Sequence, residues 1–182
     1  MSTSKSHDEV RLIECSEAEH ADAILEILND AIVNSTALYD YVPRPRAAMS
    51  TWFAGKRAGG FPVVGAVDAS GRLLAFASWG TFRAFPAYKY TVEHSVYVHR
   101  DHRGRGLGEL LLRELIRRAR EAQLHVLVGC IDAANAGSIG LHTRLGFVHS
   151  GTMPQVGFKF GRWLDAAFYQ LNLETPTDPR DG

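Results

Sequence analysis

A chain of 182 residues, 46% apolar and 22% charged, has the size and balance of one globular domain and is too short for two. Lysine plus arginine equals aspartate plus glutamate, 20 against 20, so net charge gives no reason to expect nucleic acid or an anionic membrane as partner. Cys15 and Cys130 are too few and too far apart for a disulfide framework or a zinc cluster, no apolar run reaches bilayer length, and the polar N-terminus lacks a signal peptide, so a cytoplasmic protein is expected.

The elements follow in chain order. Residues 1–9 and 174–182 are polar and aperiodic and are expected to be disordered, leaving 10–173 as the domain. Residues 10–15 read as a short strand. Ser16 followed by Glu19 forms a capping box, behind which Ile24, Ile27, Leu28, Ala31 and Ile32 recur at helical spacing. Prolines mark 35–45 as a loop, and residues 46–58 read as a second helix stopped by Gly59 and Gly60. Two apolar runs around Ala69, Ser70 and Gly71 predict a hairpin. Residues 90–98 alternate, with Val92, His94, Val96 and Val98 on one face and Thr91, Glu93, Ser95 and Tyr97 on the other. A helix from Leu107 is expected to turn Leu110, Leu111, Leu115 and Ala119 inward. Residues 125–131 form a continuous apolar run, suited to a central strand covered on both faces. Asn135 opens another helix, with Ile139, Leu141 and Leu145 inward, and residues 166–173 close the chain as a strand. The order β-α-α-β-β-β-α-β-α-β describes one mixed α/β domain.

Between the 90–98 strand and the leucine-rich helix stand Gly104, Gly106 and Gly108, interleaved with Arg103 and Arg105. The first amides of a helix lack internal partners and carry the positive end of its dipole, and glycine lets an anion approach them, so the turn suits phosphate. A P-loop pattern is absent. A dinucleotide G-x-G-x-x-G fails at Glu109, and this turn follows the fourth strand rather than the first, although Asp132 at the next strand's end keeps a ribose-binding alternative open. A flexible turn with solvated arginines is the bland reading.

Arg103-Gly104-Arg105-Gly106-Leu107-Gly108 fits R/Q-x-x-G-x-G/A and resembles the pyrophosphate-binding motif of the Gcn5-related N-acetyltransferases, a likeness that runs from about residue 10 to 173. The resemblance implies a mixed, mostly antiparallel central sheet with splayed strands, flanked by helices, and acetyl-CoA as cosubstrate with no metal. It implies that Val96, Tyr97 and Val98 pair with the pantetheine, that Arg103, Gly104, Arg105, Gly106, Leu107 and Gly108 hold the diphosphate, and that Asn135 and Ser138 assist. Arg144 is a looser candidate for a CoA phosphate. Many members carry a tyrosine that protonates the departing thiolate where "LHTRLGF" here has His142, which by that resemblance would donate the proton, relay the amine's proton or orient the acceptor, a satisfied core histidine being the bland reading.

Together with "YTVEHSVYV", "VGCIDAANAGSIGLHTRLGF" and "MPQVGFKFGRWLDAAFYQL", that change resembles the phosphinothricin and methionine sulfoximine acetyltransferases, a dimeric family acting on small amino-acid-like amines. An ammonium must lose a proton before it attacks a thioester, and Glu93, a charge inside a strand, is placed to take it; by resemblance it holds the family's catalytic position. A zwitterionic acceptor needs a cation, for which Arg83 stands amid aromatic residues with Phe85 and Tyr88. Tyr39 could close over the acceptor, and Lys159 and Arg162 could arrive from a neighbouring subunit. The rival readings are a protein N-terminal or lysine acetyltransferase, a non-catalytic acyl-CoA-binding module and, more remotely, a nicotinamide-dependent enzyme.

Overall fold

A computed structural model describes residues 10–181, and the disorder expected of residues 1–9 lies outside the described residues. Among the described residues the chain forms β1 (Arg11–Glu14), α1 (Glu17–Asn34), α2 (Ala48–Ala58), β2 (Val63–Val67), β3 (Leu73–Thr81), β4 (Thr91–Val98), α3 (Leu107–Glu121), β5 (Val126–Asp132), α4 (Ala136–Arg144), β6 (Val148–Lys159) and β7 (Arg162–Asn172). Strand β6 was not expected. It is an edge strand whose residues are nearly all exposed, so no apolar alternation announces it. The turn after it, Phe160-Gly161, has positive φ at both residues, as a type I′ hairpin requires.

The sheet runs β1-β2-β3-β4-β5-β7-β6, and every neighbouring pair is antiparallel except β4 and β5. Helices α1 and α2 cover one face, burying Ile24, Leu28, Met49 and Phe53 against Phe76. On the other face α3 buries Leu107, Leu111, Leu112, Leu115, Ile116 and Ala119. Leu112 thus replaces Leu110 in the buried stripe, and Leu110 is exposed. The Ser16 cap forms as expected, its hydroxyl accepting from the Glu19 amide at 3.3 Å. Within residues 174–181, expected to fray, Thr175 is buried against the Leu124 carbonyl and the Arg180 amide reaches the Tyr90 hydroxyl at 3.1 Å, while residues 177–181 are exposed.

One irregularity positions everything that follows. β4 and β5 pair only at Thr91↔Val126, Val92↔Leu127 and Glu93↔Val128, whereas β4 stays paired with β3 as far as Val98. From His94 onward the two central strands part. Cys130, expected to be covered on both faces of β5, is exposed beyond that point.

Candidate active site

Glu93 occupies the last paired rung before the strands separate, opposite Gly80 on β3 and Val128 on β5. It is half-buried, and burial raises its carboxyl above the ordinary glutamate value while the Arg83 guanidinium opposes the rise. Arg83 lies two residues beyond β3, stacks on the Phe82 ring at 4.9 Å and has no carboxylate within ion-pair distance among the described residues. An unpaired cation beside a protonatable carboxylate suits a ligand bearing both charges.

The separation exposes strand backbone. The His99 amide donates to the Leu74 carbonyl at 2.9 Å, so in an antiparallel ladder Tyr97, paired with Phe76, also addresses β3. Val96 and Val98, between them, turn their amides and carbonyls toward the gap, where the Val98 carbonyl accepts from Arg103 Nε at 3.4 Å. The expectation that Tyr97 contributes a pairing amide is therefore corrected: its main chain is engaged, and its ring packs on Phe76 at 5.4 Å.

At the far end of the gap the glycine turn leads into α3. Gly104 and Gly106 have φ of +75° and +79°, the left-handed conformation that glycine alone adopts freely, and a Cβ at either would meet nothing within 4 Å. The first helical bond runs from the Leu110 amide to the Gly106 carbonyl, leaving the amides of Leu107, Gly108 and Glu109 ahead of it. Gly108 faces Leu141, Val96 and Val98, so the turn closes onto the parted strands. Arg103 reaches Asp30 at 3.2 Å, and Arg105 meets the His102 ring at 3.0 Å. Asn135 caps α4, its Oδ1 accepting from the Ser138 amide at 3.0 Å, while the rest of the residue is exposed.

His142 lies on the opposite face of the sheet from Glu93. It is buried, with Nδ1 2.7 Å from the Ser138 carbonyl and Nε2 2.9 Å from His94 Nε2. A carbonyl only accepts, so Nδ1 of His142 carries its proton, Nε2 is a lone pair, and His94 Nε2–H donates to it. Both rings are held neutral: burial pushes each below ordinary imidazole, and His142 further disfavours charge on His94. His142 therefore has no spare proton to give a thiolate. Of the roles expected for it, proton donor, relay or orienting group, this paired and buried arrangement fits the orienting one.

Arg83, Phe85 and Tyr88 border one groove of about 410 Å³, together with Trp79, Thr91 and Val92. Trp79 and Val92 belong to the face opposite Glu93, and Phe85 is 72% exposed. Arg83 thus acts on Glu93 through its charge while bordering this groove with Phe85 and Tyr88.

Sequence reasoning named Tyr39, Asp132 and Arg162 separately but missed Thr36 and the cluster the four form on the Glu93 face. Thr36 donates to the buried Asp132 carboxylate, Arg162 Nη2 approaches the same carboxylate at 3.6 Å, and the Tyr39 ring lies against Gly157. The Tyr39 hydroxyl is raised first by partial burial, then by Asp132 and Cys130, with Arg162 opposing. Cys130, two residues beyond the Val128 that pairs with Glu93, shares this face, and partial burial and the charge of Glu93 both raise its thiol pKa. Lys159 is buried against α1 of its own chain and so is not free to reach a neighbour's site, whereas Arg162 stays half exposed beside Asp132. No spacing rule joins residues so distant in sequence.

Parted parallel strands, a glycine turn on a helix N-terminus and a carboxylate at the fork define an acyl-transfer fold. Residues 22–147 match the model of the acetyltransferase (GNAT) family, and the chain belongs to that family, with its acyltransferase chemistry. It is 54% identical over 151 residues to an L-methionine sulfoximine/L-methionine sulfone acetyltransferase of Pseudomonas paraeruginosa, covering 83% of this chain and 88% of the relative. Among solved structures, a protein of Acinetobacter baylyi superposes with a TM-score of 0.96 at 65% identity, covering 97% of this chain and 99% of that one. A phosphinothricin acetyltransferase from Sinorhizobium meliloti, solved in complex with acetyl-CoA, superposes with a TM-score of 0.89 at 35% identity, covering 95% and 93%.

Proposed function

We propose that the protein transfers an acetyl group from acetyl-CoA to the α-amino group of a small amino-acid-like acceptor, of the methionine sulfoximine, methionine sulfone or phosphinothricin kind. The observation that carries this reading is the position of Glu93, half-buried at the fork where the central strands part, within the field of Arg83.

The residues at the gap suit acetyl-CoA, because the left-handed glycines leave an open cradle over unpaired helix amides. In this proposal the turn from Arg103 to Gly108 holds the diphosphate, Val96 and Val98 pair with the pantetheine amides, and Asn135 and Ser138 support the same arm. When bound, acetyl-CoA supplies a thioester carbonyl already activated for attack. Glu93 removes the proton from the acceptor's ammonium, directly or through water, and passes it to solvent. Burial raises its pKa, which strengthens it as a base. Arg83 holds the acceptor's carboxylate, and a backbone N–H facing the gap steadies charge on the carbonyl oxygen. As the C–S bond breaks, the nitrogen gives its second proton to water and the thiolate takes one from water, since the His94–His142 pair has none free. That pair supports the β5 side of the fork: a Cβ on Gly129 would sit 3.0 Å from His142 Nε2 and 3.1 Å from His94 Cε1.

The proposal includes a homodimer. The outer strands leave Met153, Val156, Phe158, Phe160 and Trp163 exposed, an apolar surface that a second copy of β6 and β7 would cover. Sedimentation equilibrium tests that part.

The test of the function is an acceptor screen with acetyl-CoA, reading thiol release. Methionine sulfone and phosphinothricin are set against a panel of peptide N-termini and lysine peptides. Release with the free amino acids alone supports the proposal. Release only with peptides makes this a protein acetyltransferase, and binding of acetyl-CoA with no release under any acceptor makes it a non-catalytic module.

A further inference from the structure

Lys159, at the end of β6, is 4% exposed. Its ammonium donates to three main-chain carbonyls, Ile32 at 2.6 Å, Ser35 at 2.8 Å and Leu38 at 2.6 Å, so all three of its protons are used. No carboxylate lies within ion-pair distance among the described residues, and burial lowers its pKa while Asp40 opposes the fall. Helix α1 has no basic residue in its own last turn. Lys159 supplies from another element the cation that the helix's negative end lacks, and satisfies the Ile32 carbonyl of its last turn together with two carbonyls beyond the helix. One residue earlier, the Phe158 carbonyl accepts from the Tyr41 hydroxyl at 2.6 Å. The β6–β7 hairpin thus grips the segment after α1 at two points.

That segment is not inert. It carries Thr36, bonded to Asp132, and Tyr39, which lies on Gly157 beside Cys130 and within the field of Asp132. Both sit on the face of the sheet that Glu93 occupies. We propose that Lys159 is a positioning residue for acceptor recognition: by clamping the carbonyls of Ile32, Ser35 and Leu38 it holds residues 35–41 as the wall of the acceptor site. This rests on the acetyltransferase reading. It adds that acceptor affinity depends on a lysine that touches neither substrate.

The test compares Lys159→Met, which keeps the stem and removes the donors, with Tyr41→Phe, which loosens the second grip at an exposed position. In Lys159→Met, amide hydrogen exchange over residues 36–41 should accelerate by roughly 10²-fold, as a local opening becomes cheaper. The acceptor KM should rise by about tenfold or more, with kcat and the acetyl-CoA KM each within about threefold, the pattern of lost ground-state binding. Tyr41→Phe should show the same selective pattern at smaller size. Faster exchange with an unchanged acceptor KM would reduce Lys159 to a structural staple and overturn the proposal, as would unchanged exchange. If Lys159→Met fails to fold, Tyr41→Phe decides by the same selectivity. The exchange readout, together with calorimetric binding of methionine sulfone, also separates this claim from the catalytic one. A wild-type protein that binds the sulfone but acetylates nothing sinks the proposed function while still reporting on Lys159.

Discussion

Gly106 and Gly71 make a matched pair. Both have left-handed φ, +79° and +85°, and a Cβ on either would meet no atom within 4 Å. Replacing either with alanine therefore costs the same backbone strain, about 1–2 kcal/mol, which for a domain of this size lowers Tm by roughly 2–8 °C. They differ in what lies ahead of them. Gly71 sits in the β2–β3 hairpin, whereas Gly106 caps α3 beneath the open amides of Leu107 and Gly108. If those two amides hold the coenzyme's diphosphate, a methyl group in front of them removes two charge-assisted hydrogen bonds, about 1.5–3 kcal/mol each. Gly106→Ala should then weaken acetyl-CoA binding by roughly 10²- to 10⁴-fold by titration calorimetry, while Gly71→Ala binds as wild type. Equal affinity in both variants would refute the assignment of the turn, because strain alone would then account for everything the substitution does.

Glu93→Gln should slow acetyl transfer by about 10²- to 10⁴-fold, the range of a general base, with acetyl-CoA affinity intact in calorimetry. The same change has a stability signature. Because the folded pKa of Glu93 is raised, the native state binds the proton more tightly than the unfolded chain, so ionisation costs stability as pH rises past the unfolded value. Glu93→Gln should accordingly be more stable than wild type at neutral pH, with the difference vanishing in acid; denaturant titrations at both pH values check this. Arg83→Gln should raise the acceptor KM and move the acidic limb of the rate profile to higher pH, since Arg83 holds the Glu93 pKa down. Gly129→Ala presses a methyl group against two buried imidazoles and should destabilise the fold by about 1–3 kcal/mol by chemical denaturation.

What the sequence revealed followed from local rules. The capping box at Ser16, the alternation of residues 92–98 and the glycine turn each answer to spacing within a few residues, and each stands in the structure. Strand β6 escaped notice because an edge strand with both faces largely wet carries no apolar period, and positive φ at Gln155 breaks its register with β7. In the leucine-rich helix Leu111, Leu115 and Ala119 are buried as expected, and only Leu110 was placed inward where Leu112 belongs, since five leucines, Leu107, Leu110, Leu111, Leu112 and Leu115, fit more than one stripe. His142 looked like a proton donor until its partner appeared 48 residues earlier, at His94. Lys159 and its three carbonyls are separated by more than 120 residues. Such contacts belong to the topology of the sheet, and no window along the chain contains them.

The most direct measurement is a crystal structure of the protein with acetyl-CoA. The account predicts the diphosphate against the amides of residues 107–109, the pantetheine arm along Val96 and Val98, and the thioester beside Glu93 at the fork. A coenzyme bound elsewhere, or a thioester held on the far side of the sheet from the Glu93 carboxylate, would contradict it.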